Sequence, residues 1–120
     1  MTEYDDPIVR AIQDAASFPV DVECEGYPDV IFNIIFPRHP DSAMAEASVS
    51  ALESFMYSYN KWHFLRPIHY VSDIDNLPEP SSVFSVCVHV DFGNASPRAL
   101  IGAVKFLADA GLPIYRIVLE

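Results

Sequence analysis

The sequence predicts an α+β fold, one antiparallel sheet carrying its helices on a single face. Two patterns carry that expectation. Strict apolar–polar alternation, clearest in SVCVHVD over residues 85–91, is the mark of a strand with one buried side. Apolar residues three and four apart, as in Ala45, Val49, Leu52, Met56 and Tyr59, mark an amphipathic helix, and the two kinds of segment alternate along the chain. Length sets the scale. At 120 residues, 51% of them hydrophobic, the chain is expected to form a single domain over residues 1–120 that buries a core without disulfides or metal.

The elements follow in order. Asp6-Pro7 starts a helix, with a carboxylate cap and a proline in the first turn. Ile8, Ala11, Ile12 and Ala15 then share one face, so the helix is expected over 7–17. VDVEC, residues 20–24, alternates apolar with acidic residues and reads as an edge strand whose charges discourage stray pairing. Glu25-Gly26-Tyr27-Pro28-Asp29 is a turn. VIFNIIF, residues 30–36, is strongly apolar, mostly β-branched or aromatic, and reads as a central strand closed by Pro37 and Pro40.

Asp41-Ser42 caps a long helix over 42–60, and KWHFLRP leads from it into the strand IHYVSDI. DNLPEPSS, residues 75–82, is a loop, and SVFSVCVHVDF is the clearest strand. Ser96-Pro97 opens the last helix, which buries Leu100, Ile101, Val104, Leu107 and Ala108. Gly111 and Pro113 end it before the final strand, IYRIVL. From residue 30 onward the order is β-α-β-β-α-β, the order of a ferredoxin-like sheet with two helices on one face. Residues 1–29 add a helix and an edge strand to that 30–120 core, and the sequence leaves open whether the added strand joins the sheet.

Strand parity assigns the two sheet faces. Phe32, Ile34 and Phe36 are expected to face the helices together with Val86, Val88, Val90, Tyr115, Ile117 and Leu119. The open face then receives Ile31, Asn33, Ile35, Ser85, Cys87, His89, Asp91, Ile114, Arg116 and Val118. A thiol, an imidazole and a carboxylate in Cys87-x-His89-x-Asp91 resemble a reaction centre. Alternate residues of a strand, however, stand roughly 6.6 Å apart, whereas a histidine activates a cysteine from about 3.2 Å. His39, His63, His69 and Cys24 show no recognised ligand spacing, so no metal is expected. The three residues are read as the outward side of a middle strand and part of a docking surface.

Other chemistry finds no support. The chain has no G-x-G-x-x-G, Walker loop, G-x-S-x-G, H-E-x-x-H or C-x-x-C, and only four glycines with which to cradle a phosphate. Neither catalysis nor a cofactor is expected. The aromatic run Tyr57, Tyr59, Trp62, His63, Phe64 carries only Lys61 and Arg66 beside it, too little charge for a nucleic-acid platform. Most of it is assigned to core packing, with Trp62 as a surface anchor for a protein partner. The acidic N-terminus MTEYDDP lacks the features of a secretory signal, and Cys24 and Cys87 have no motif spacing, so a reducing cytoplasm is expected. No apolar run reaches the roughly 20 residues of a membrane helix.

Charge is the strongest signal. Seventeen acids against seven Lys and Arg give a net charge of -10. Residues 1–29 hold eight of the acids and only Arg10 as a base. Such a field repels nucleic acid and anionic membranes and attracts cations. The segment Asp21, Glu23, Glu25, Tyr27, Asp29 therefore reads as an anionic patch for a basic protein, the carboxylates steering the encounter and the tyrosine fixing contact.

A compact, acidic domain with these residues and no catalytic motif resembles the immunity proteins of bacterial toxin systems, contact-dependent growth inhibition among them. The likeness rests on class properties and gives no residue a role. It implies one-to-one inhibition of a toxin by covering its active site, and a nuclease toxin would offer the basic surface required. The alternative expectation is a small-ligand sensing or regulatory ferredoxin-like module that acts as a homodimer, paired sheet to sheet or edge to edge, its open face being partly apolar.

Overall fold

The computed structural model describes residues 7–23, 29–37, 42–73 and 85–120. Asp6, Cys24 to Pro28, Asp41 and the loop 75–82 lie outside them, as do the cap and turn readings that depend on those residues. The described elements are α1 (Pro7–Asp14), β1 (Val20–Val22), β2 (Asp29–Ile35), α2 (Ser42–Trp62), β3 (Tyr70–Asp73), β4 (Ser85–Asp91), α3 (Ala99–Ala108) and β5 (Arg116–Leu119). The class is α+β, and the sheet runs in the order β1-β5-β2-β4-β3. β2 is central, as its largely apolar sequence leads one to expect, with antiparallel β4 and β5 on either side.

The sheet is mixed, which corrects the all-antiparallel expectation. β1 joins it at the edge and runs parallel to β5, pairing Asp21 with Val118. The reversal comes from α1, which precedes β1 and packs on α3 in the helix layer. Gln13 of α1 holds the junction by donating Nε2–H to the Val20 carbonyl at 3.2 Å. α1 is also shorter than the 7–17 expected.

Parity places the core where alternation said it would be. Val30, Phe32 and Ile34 from β2, Val86, Val88 and Val90 from β4, and Ile117 and Leu119 from β5 are all buried. Ile12, Leu52, Phe55, Met56, Leu100, Val104 and Leu107 cover them from the three helices. Gly102 lets α2 and α3 approach, because a Cβ there would stand 2.6 Å from Phe55 Cε1. Ser48, the buried polar residue of α2, donates its hydroxyl to the Met44 carbonyl at 2.8 Å, so it leaves no unpaired group in the core.

Three readings change. Tyr115 precedes β5 and is 58% exposed; it does not face the helices. α3 begins at Ala99, after a tight turn in which Ser96 Oγ accepts the Arg98 N–H at 3.2 Å, so Ser96 acts two residues ahead of the expected position. The aromatic end of α2 is not core: Tyr57, Trp62, His63 and Phe64 are exposed, and only Tyr59 packs against the buried cluster. The stripe read from helical spacing ends at Tyr59, and the assignment of the rest of the run to the core rests on its aromatic character alone. Among the described residues no helix is long and apolar enough to cross a membrane.

Candidate functional site

The described helices lie on one side of the sheet, and among the described residues the other face carries no helix. Its residues have the second parity: Ile31, Asn33, Ile35, Ser85, Cys87, His89, Asp91, Arg116 and Val118 are all half-buried. Register brings distant acids together on this face. Asp29 lies opposite Asp91 on β4, and Asp91 lies opposite Tyr70 on β3. Asp21 reaches the face through β1, level with Val118, Asn33 and Cys87. Glu120 exchanges both backbone hydrogen bonds with Ile31 at 2.9 Å and is exposed.

These side chains form cross-strand pairs. His89 Nε2 lies 3.0 Å from Asp29 Oδ1, and its ring meets Tyr70 edge to face with centroids 5.6 Å apart. Cys87 donates its thiol to Asn33 Oδ1 at 3.6 Å, and Asn33 donates Nδ2–H to Glu120 Oε1 at 3.3 Å. Arg116 Nε is 3.6 Å from Asp21 Oδ2, within ion-pair range but too long for a hydrogen bond, and that nitrogen is buried without a hydrogen-bond partner. Asp91 has a local duty: one oxygen accepts the Gly93 N–H at 2.9 Å, while the other is 3.7 Å from His69 Nδ1. That bond shapes the Phe92-Gly93-Asn94 turn, where Gly93 takes φ 57° beneath the His69 ring.

The residues singled out from sequence fall into three groups. Asp21, Asp29, Cys87, His89 and Asp91 share the open face. Glu23 follows β1, exposed, with its N–H on the Leu119 carbonyl at 2.8 Å; Glu25 and Tyr27 lie outside the described residues. Trp62 stands elsewhere, in a groove at the end of α2 lined by Tyr59, His63, Phe64, Leu65, Arg66 and Ser96. Cys87 and His89 take different cross-strand partners, Asn33 and Asp29. No three His, Cys, Asp or Glu side chains among the described residues come together to hold a metal ion.

Sequence reasoning missed Glu120 and Tyr70. Glu120 was within reach, since it is the next residue of the parity that links Arg116 and Val118. Tyr70 was not, because the pairing of a four-residue strand is set by β4 and not by its own pattern. Comparison with protein-family models, curated proteins and solved structures finds no match.

Proposed function

We propose that this chain is a non-enzymatic binding protein that inhibits a basic partner in a one-to-one complex, and that it serves as an immunity protein covering the active site of a bacterial toxin. The observation that carries the reading is the charge of the open sheet face. Asp21, Asp29, Asp91 and Glu120 converge there from four separate strands or strand ends, and the one Arg among the described residues of that face, Arg116, already lies beside Asp21. Ile31, Ile35 and Val118 supply apolar contact between the charges. A nuclease toxin holds phosphates with Lys and Arg, and a rigid plane of carboxylates answers that surface as its substrate does. Exposed carboxylates raise the encounter rate; those that lose water on docking hold the complex together.

The topology is read as a ferredoxin-like core with an addition at one edge. Without β1 the strand order is β5-β2-β4-β3 and every neighbouring pair is antiparallel, which supports that reading. The site of action is the cytoplasm, where a thiol such as Cys87 stays reduced.

Co-purification from the native host tests the function. The expected result is a basic protein recovered in equal amount, whose toxic activity is lost in the complex. A variant carrying Asp21→Asn, Asp29→Asn and Glu120→Gln is expected to lose that protein. Equal recovery by both chains contradicts recognition through this face.

A further inference from the structure

We propose that the aromatic, basic corner at the end of α2 receives the acidic open face of a second copy of this chain, so that free chains associate head to tail. The corner is an anomaly on a protein of net charge -10. Residues 61–66, KWHFLR, are exposed without interruption, with Trp62 at 75%, Phe64 at 75% and Leu65 at 82%. Residues 62–66 line a groove of about 420 Å³, and Lys61 precedes them. Large apolar side chains gathered at one exposed place mark an interaction site.

The corner is built, not frayed. Asn60 clasps Ile68 from both sides, donating Nδ2–H to its carbonyl at 2.9 Å and accepting its N–H at 2.7 Å. Within the clasp the His63 ring stacks on Tyr59 at 4.0 Å, and Arg66 N–H bonds the His63 carbonyl at 3.0 Å. The Trp62, Phe64 and Leu65 side chains are therefore displayed by a segment fixed at both ends.

Charge selects the occupant. Lys105 lies 3.5 Å from Asp109 and Arg116 lies 3.6 Å from Asp21, so both bases have acids beside them. Lys61 and Arg66 in the corner, and Arg98 two residues beyond Ser96 of its lining, have no carboxylate partner among the described residues. Lys61 instead lies 5.9 Å from the Trp62 ring centroid. The groove calls for a surface both apolar and acidic. The open face offers that combination: Ile31, Ile35 and Val118 among Asp21, Asp29 and Glu120. The two surfaces share no residue, so the contact is heterologous and each copy keeps one of each free for the next. Growth by this contact is concentration-dependent and weakened by salt.

The experiment uses the chain alone, so it does not depend on a toxin or any basic partner, and its failure leaves the partner reading standing. Sedimentation gives the mass across a concentration series at low and high salt. Trp62, the single tryptophan of the sequence, reports in parallel through its emission. The expected result is a mass that rises with concentration at low salt, a blue shift of Trp62 emission over the same range, and reversal of both by salt. Lys61→Glu with Arg66→Glu reverses the corner; Asp29→Lys with Glu120→Lys reverses the face. All four side chains are exposed, and retained melting temperature shows that each variant is folded. Each variant alone is expected to associate at least about tenfold more weakly, and an equimolar mixture of the two to recover association, because each then supplies the surface the other needs. A wild-type chain that stays monomeric with unshifted Trp62 emission overturns the proposal and leaves the groove to an acidic segment of another protein. Association that survives in the separate variants overturns it equally, by placing the contact elsewhere.

Discussion

Phe32 and Asn33 are neighbours in β2, yet they belong to different surfaces. Phe32 is fully buried beneath the helices, with its ring 6.4 Å from that of Phe92. Asn33 looks outward and bonds the thiol of Cys87 and the carboxylate of Glu120. The same contrast runs through β4 and β5. One face of the sheet is apolar and closed, and its side chains hold the fold. The other mixes carboxylates, an imidazole, a thiol and isolated aliphatic groups, none of which the core needs. A sheet with one covered face separates stability from recognition by residue parity alone.

Substitutions on the two faces test that separation. Phe32→Ala is expected to cost about 3–5 kcal/mol, since it removes a buried ring and leaves a cavity under three helices. Asn33→Ala, one residue away, is expected to cost within about 1 kcal/mol, the worth of partly exposed hydrogen bonds. Urea unfolding of the pair measures both, and equal losses would break the comparison.

The helix layer gives a second measure of the covered side. Gly102→Val places methyl groups where Phe55 already packs, and Phe55 is held between Tyr59 and Phe106 with centroids 5.7 and 5.3 Å away. A loss of about 1–3 kcal/mol is expected from overpacking, read as a lower midpoint of thermal unfolding. Asn60→Ala removes both bonds to Ile68, whose buried backbone groups then lose their partner; about 1–3 kcal/mol is expected. Because Asn60 fixes the base of the exposed corner, the quenching of Trp62 by acrylamide is expected to change with it.

The smallest effect on folding belongs to the open face. Asp21→Asn with Asp29→Asn is expected to change stability by no more than about 0.5 kcal/mol, because both carboxylates are partly exposed and each substitution keeps the shape of the side chain. Chemical unfolding that shows a large loss would mean that the carboxylates hold the sheet together.

Much of this division was legible in the sequence. Alternation in SVCVHVD assigned both faces of β4 correctly, and the apolar run of β2 marked it as the centre. The direction of β1 was not legible, since three residues with an acid in the middle pair equally well either way; α1 packing on α3 decides it. The end of α2 was misread because aromatic character alone does not say whether a side chain meets the core; the stripe read from spacing ends at Tyr59, which does. Glu120 is far from Asp21 and Asp29 in the chain, and only the register of β1, β5 and β2 sets the three on one plane. Asp91 looked like a functional carboxylate, yet half of it shapes the turn at Gly93.

The most direct test of recognition through the open face is the association rate of the chain with its co-purified partner as ionic strength rises. The wild-type rate is expected to fall steeply with salt. For the chain carrying Asp21→Asn, Asp29→Asn and Glu120→Gln, the rate is expected to be lower at the outset and nearly flat, while unfolding stability stays unchanged. Identical rates and identical salt slopes for the two chains would contradict it.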